Sequence, residues 1–301
     1  MPASPSLPPS ARIEENRDAS PVPAPAPACR GCGDRVGSGG EMEMRMDTLG
    51  DYLKSLEGAE TGRRGLSGQA VYIRIDGNRF SKFTKGMERP FDRRMSAAMI
   101  DTAKGLVTEF GAALGYTQSD EISLVLWEPG PTSEVAHGGK FQKLASRTAS
   151  KATHLFYKAA LSWGLEVFVE RQFPEFDSRA FAVSREDAAK AIYWREIDAR
   201  KNAIQMAAAK HFSPTALHRK NGDDQVAMLR EIGVDFDDFP AFFRRGTLIK
   251  RVKVRREMTA EELERIPPQY RPSGPIDRTD VIEVEMPDLR GIDDRAALLF
   301  A

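Results

Sequence analysis

The chain has 301 residues, 41% of them apolar and 29% charged, a composition of soluble globular chains that excludes collagenous and membrane-spanning classes. Its 44 Lys and Arg balance 44 Asp and Glu, so it is not polybasic, and any nucleic-acid face has to be a local patch. Two cysteines cannot make a disulfide scaffold, which favours a reducing, cytoplasmic setting.

Residues 1–44 carry eight of the nineteen prolines, followed by a glycine-rich run from Gly31 to Gly40. So little apolar surface cannot offset the entropy of ordering, and the segment is expected to be a disordered tail. It has neither the basic start nor the apolar core of a signal peptide. Cys29 and Cys32 have the spacing of half a zinc knuckle or of a redox pair. The other half is missing and the four histidines lie far downstream, so two solvated thiols are the preferred reading.

A compact domain is expected over residues 45–256. Thr48 to Leu56 reads as a helix with Leu49, Leu53 and Leu56 on one face. Residues 70–75 alternate as a strand, with Val71, Ile73 and Ile75 on one side and Tyr72 and Arg74 on the other, delivering Asp76 at its end. Met95, Met99, Ala103, Leu106 and Phe110 recur at helical spacing, a stripe that packs on the sheet. Gln118-Ser-Asp-Glu121 is expected to open a second strand, with Ile122, Leu124 and Leu126 sharing a face. After Met258 an acidic helix and the Pro267-Pro268 break suggest a peripheral extension over 257–301.

Asp76 and Asp120 lie 44 residues apart, at a strand end and a strand start, an arrangement that brings two carboxylates to one sheet edge. Hard oxygen ligands suit Mg²⁺, which completes its shell with water and substrate phosphates. Gly77, lacking a side chain, leaves its carbonyl approachable. Asp-Gly is also a common turn, so the pair alone leaves both readings open. Arg244 to Arg256 holds seven basic residues and no acid; Arg251, Lys253 and Arg255 alternate with Val252 and Val254. That pattern suits either a rail for an RNA backbone or a charge-protected edge strand.

Five segments carry a family resemblance: Arg74-Ile-Asp-Gly-Asn-Arg-Phe80, Gln118-Ser-Asp-Glu121, Phe176-Asp-Ser-Arg179, Trp194-Arg-Glu-Ile-Asp198 with Asn202, and Phe243-Arg-Arg-Gly-Thr247. In order and spacing the chain resembles the tRNA-His guanylyltransferase family from about Val71 to Arg251. The resemblance implies an α/β (α+β) fold, a polymerase-like palm with a ferredoxin-like βαββαβ sheet plus helical additions. It implies nucleotide addition in the 3′-to-5′ direction, with tRNA as partner, ATP and GTP as substrates and two Mg²⁺ ions at Asp76, the Gly77 carbonyl and Asp120. Glu121 matches a further acidic position, counted with Asp76 and Asp120 as catalytic. Lys143 and Arg179 match triphosphate contacts, Asn202 a polar nucleotide contact, and Arg74 lies beside the metal site. Arg89-Pro-Phe-Asp92 stands where the family carries Lys-Pro-Asn-Asp near its activating nucleotide, keeping Asp92 and replacing the amide by Phe91.

Where relatives that read the tRNA-His anticodon continue with His-Ile-Asn-Asn-Leu-Tyr-Asn, this chain has Arg200-Lys-Asn-Ala-Ile-Gln-Met206. The departure makes it similar to the bacterial and archaeal guanylyltransferase-like branch, which implies template-dependent repair of 5′ ends, with Arg200, Lys201, Arg251 and Lys253 holding RNA and a homo-oligomer, a tetramer, as the assembly. Two rival readings are a different palm enzyme, such as a nucleotide cyclase, and a non-catalytic RNA-binding module.

Overall fold

The computed structural model of the chain describes residues 46–127 and 135–300. The expected tail, with Cys29 and Cys32, lies outside them.

Helix α1 (Met46–Thr61) comes first, and its Leu49, Leu53 and Leu56 stripe stays 40, 53 and 50% exposed. Strand β1 (Ala70–Asn78) alternates as its sequence dictates. Val71, Ile73 and Ile75 are fully buried on one face, in a cluster with Phe80, Phe83 and Phe156. Helix α2 (Phe80–Phe83) leads into α3 (Arg93–Phe110), which starts at the Asp92 side chain, an N-cap accepting from Arg94 N, and stops at Gly111, in the left-handed region at φ 61°. Met95, Met99, Ala103, Leu106 and Phe110 are all buried, as the helical spacing requires.

Strands β2 (Leu114–Gln118) and β3 (Glu121–Leu126) form a hairpin in which Gln118 faces Glu121. The segment expected to open a strand is therefore the hairpin tip, and Asp120 sits in the turn rather than on a strand. Ser119 there has φ 49°, the left-handed region that few side chains other than Asn and Asp adopt readily. Helices α4 (Phe141–Ser162) and α5 (Glu166–Arg171) precede β4 (Glu175–Val183), and the 27-residue α6 (Arg185–His211) follows, capped by Ser184. Short helices α7 (Pro214–Leu217), α8 (Gly222–Glu231) and α9 (Ala241–Arg245) pack near the end of α6. The chain then runs through β5 (Thr247–Arg256), α10 (Ala260–Glu264), β6 (Ile276–Glu285) and α11 (Arg295–Phe300).

Six strands form one sheet in the order β4-β1-β3-β2-β5-β6, antiparallel at every pairing. The unit β1-α3-β2-β3-α4-β4 is the ferredoxin-like βαββαβ palm, with β3 inserted between the parallel β1 and β2. Helices α3 and α4 cover one face; α6 covers part of the other, with its Ile192 clustered with Tyr72, Tyr116 and Leu248. The segment expected as a peripheral extension enters this sheet. β6 pairs along the whole of β5, and Met286, Leu289 and Leu299 are buried in the cluster under α6. β5 is thus an interior strand, which removes the edge-strand reading of its charges.

Candidate active site

The β1 register sets the site. Asp76 pairs with Glu121 on β3 and with Asp177 on β4, which puts three acids in one row across the face that α6 only partly covers. The next row on that face is Ser123, Arg74 and Arg179. A row of acid beside a row of cation follows from strand periodicity alone: residues two apart share a face, and residues directly opposite share it too.

Asp120 reaches the same place from the hairpin tip. The amide of Gly77 donates to the Asp120 carbonyl at 3.0 Å, which ties the turn to the end of β1. Gly77 has a packing reason of its own, because a Cβ there would meet the Phe80 ring at 2.5 Å. Burial, and next the facing Asp177, push the Asp76 carboxyl above its ordinary value against the pull of Arg74, Arg179 and Arg195. Burial also raises Asp120, with Asp76 adding to the rise and the Ser119 hydroxyl opposing it. Half-desolvated carboxylates that repel one another are a donor set for a hard cation. Among the described residues no three acid, His or Cys side chains converge as a preformed cage, so water and substrate phosphates would complete a coordination shell here.

Glu121 is engaged differently. Arg195 Nε of α6 donates to its Oε1 at 2.6 Å, and Arg195 Nη2 donates to Asp198 Oδ2 at 3.0 Å. Asn202 Nδ2 stands 3.5 Å from the same Asp198 oxygen. Residues 195, 198 and 202 share a helix face, so one run of bonds leads from the acid row to a cavity of about 490 Å³. Asp120, Asn202, Gln118, Phe91, Phe243 and Met206 are among its lining residues. The Phe91 ring, where the family carries an amide, lies 4.7 Å from Phe243 and 5.3 Å from Phe242, so the wall is aromatic.

The structure thus brings together Arg74, Asp76, Gly77, Asp120, Glu121 and Arg179, with Asn202 and Asp92 at the cavity. The Asp92 carboxylate, however, is occupied: it accepts from Arg94 N, Nε and Nη2 and from Glu88 N, and Arg94 holds it below its ordinary value. Arg179 is exposed and stands 3.6 Å from Asp177, an open pair worth little by itself. Lys143 is elsewhere. It lies ten residues, about 15 Å along the axis, before Thr153, whose hydroxyl accepts from Phe176 N, and α4 packs on the face away from Asp76. Arg251 Nη1 donates to the Gly111 carbonyl at 2.6 Å, Arg200 covers the Phe236 ring at 5.1 Å, and Lys201 and Lys253 are exposed. Sequence reasoning misses Asp177 and Arg195 as parts of the site. Both stand inside quoted motifs, but register alone reveals the place of Asp177 opposite Asp76.

Comparisons with known proteins agree with this geometry. The family model described as tRNAHis guanylyltransferase matches residues 50–184. A probable tRNA(His) guanylyltransferase of Drosophila melanogaster is 26% identical over 221 residues, 68% of this chain and 73% of the relative. A bacterial tRNA(His) guanylyltransferase-like protein solved in complex with ATP superimposes with TM-score 0.67 at 29% identity, covering 84% of this chain and 99% of that one. Its counterpart in complex with GTP gives TM-score 0.64 at 26% identity over the same shares. With the palm topology and the acid row in place, these likenesses make the chain similar to the tRNA-His guanylyltransferase family, whose members are nucleotidyltransferases.

Proposed function

We infer that this enzyme adds nucleotides in the 3′-to-5′ direction to the 5′ end of tRNA, in a template-dependent repair reaction. The observation that carries the reading is the hydrogen bond from Gly77 to Asp120, which sets a second carboxylate beside Asp76 at the mouth of a nucleotide-sized cavity. An oxygen of the RNA 5′-monophosphate attacks the α-phosphorus of ATP and pyrophosphate leaves. The 3′-hydroxyl of the incoming nucleotide then attacks the activated 5′-phosphorus and AMP leaves. Arg74 and Arg179, side by side on neighbouring strands, supply directional donors for phosphate oxygens. Asn202 offers a polar contact to the nucleotide within the cavity, and the Glu121–Arg195 pair fixes α6 above the acids.

Asp76, the Gly77 carbonyl and Asp120 would hold Mg²⁺, two ions in this reading. When bound, Mg²⁺ supplies charge neutralisation at the attacking and leaving oxygens of an in-line displacement. The raised, mutually repelling Asp76 and Asp120 carboxyls fit such a group. Arg200-Lys201 in place of the histidine pattern supports recognition by pairing at the acceptor end rather than by the anticodon. A cytoplasmic setting and a homo-oligomer belong to the same reading.

The test is incubation with a 5′-monophosphorylated tRNA lacking its first nucleotide, ATP, Mg²⁺ and labelled nucleoside triphosphates. A product longer by one 5′ nucleotide is expected. Formation of a cyclic nucleotide instead, or no turnover, would count against the assignment.

A further inference from the structure

Helix α4 contains no acidic residue in 22 positions, in a chain whose acids and bases are equal in number. Leu144, Thr148, Ala152 and Phe156 face the core. Lys143, Arg147, Lys151, His154 and Lys158 recur at steps of four, four, three and four, which places them in one stripe on the outer side. Lys143, Arg147, His154 and Lys158 are exposed. Among the described residues Lys151 is the stripe's one ion-paired member, 3.1 Å from Glu109 of α3, whereas Lys143, Arg147 and Lys158 make no ion pair. Asp101, the other nearby acid of α3, accepts from the Trp163 indole at 2.8 Å.

Like charges four residues apart on a helix destabilise it, so an unpaired stripe of this kind is a net cost to the free protein. A polyanion laid along it turns that cost into attraction. The stripe spans sixteen residues, about 22 Å from end to end, with neighbouring members about 5–6 Å apart, a length that takes several phosphates of a nucleic-acid strand rather than one triphosphate.

We propose that the outer face of α4, with Lys143, Arg147 and Lys158 as contacts, is a docking surface for the RNA backbone, on the opposite side of the sheet from the acid row. The proposal rests on the reading of the chain as an RNA-modifying enzyme and assigns Lys143 to the polynucleotide rather than to the triphosphate. Its position about 15 Å up the helix from the Phe176 contact, on the covered face of the sheet, separates it from Asp76.

The experiment measures dissociation constants for a fluorescent tRNA from 50 to 200 mM salt, for the full chain and its Arg147→Gln/Lys158→Gln variant, alongside the KM for GTP. The variant should bind RNA about fivefold or more weakly, with the slope of log K against log salt reduced by about 1.5, at roughly 0.7–0.9 for each phosphate no longer neutralised. Lys143→Gln should act in the same direction, with the KM for GTP unchanged. Equal RNA affinity and salt slope in the double variant overturn the docking surface while leaving turnover, and so the proposed function, intact. A raised KM for GTP in Lys143→Gln with unchanged RNA binding returns that lysine to the triphosphate. Failure of the unmodified chain to bind RNA at all overturns both readings.

Discussion

Arg195 of α6 donates to Glu121 of β3 at 2.6 Å with both side chains only 8% exposed, so the helix that carries Asn202 is locked to the strand beside Asp76 by a buried ion pair. Removing one partner leaves an uncompensated buried charge, at a cost of about 3–5 kcal/mol. Arg195→Met should therefore lower stability strongly in a denaturant titration, and Arg195→Met/Glu121→Gln should recover much of the loss. Equal stability of the single and double variants would show that the pair does not bear on the fold.

Asp76→Asn and Asp120→Asn should each reduce nucleotide addition by about 10³-fold or more, the scale of losing a charge-stabilising group, without loss of fold. Both carboxyls are raised by burial, so the fold disfavours their ionised forms. The sign follows: in metal-free protein, stability attributable to them is highest at low pH and falls as pH rises from the ordinary value of 3.8 through the raised ones. Melting curves from pH 4 to 7 should show that decline weakened in either variant. Asp177→Asn should weaken it too, by removing the charge that faces Asp76.

Asp92 behaves in the opposite sense. Arg94 and the α3 amide hold its carboxyl below 3.8, so its contribution is present at neutral pH and is lost as pH falls through that value toward the lower one in the fold. Asp92→Asn should cost about 1 kcal/mol, as for a weakened cap, or about 2–4 °C in Tm. The difference from the parent should narrow below pH 4. A gap that persists to pH 3 would mean that the carboxylate charge is not what stabilises the start of α3.

Gly77→Ala tests the close approach at the end of β1. The added methyl meets the Phe80 ring, and overpacking of this kind costs about 1–3 kcal/mol. Pairing it with Phe80→Leu should restore part of the melting temperature; no restoration would place the strain elsewhere.

The α3 stripe and the alternation of β1 are legible because each buries one face against an exposed or polar other, which imprints a period on the sequence. β2 is not, because Leu114–Gln118 is buried at every position and contains Gly, Thr and Gln, leaving no alternation to read. Without β2, a hairpin tip reads as a strand start, and the left-handed Ser119 gives no warning. The α1 stripe shows the converse: a helical period in Leu49, Leu53 and Leu56 that the described residues do not bury. Within the site, Asp76 and Asp120 can be found from local context. Asp177 and Arg195 cannot, since their roles come from cross-strand register and from a helix crossing the sheet, relations between segments about 75 to 100 residues apart in sequence.

Recognition at the acceptor end makes a separate expectation. Moving the tRNA-His anticodon into another tRNA should alter the rate by less than about tenfold, or roughly 1.4 kcal/mol of transition-state discrimination. A larger preference would require anticodon contacts that Arg200 and Lys201 are not built to make.

The most direct measurement varies the templating base. Four 5′-truncated tRNAs, identical except for the base opposite the missing position, are incubated with all four nucleoside triphosphates, ATP and Mg²⁺, and the added nucleotide is identified by sequencing the 5′ ends. The account predicts that the added nucleotide follows the opposing base in all four, and that Asp76→Asn and Asp120→Asn abolish each addition. Addition of a single G whatever the opposing base, confined to tRNA-His, would contradict template-dependent repair.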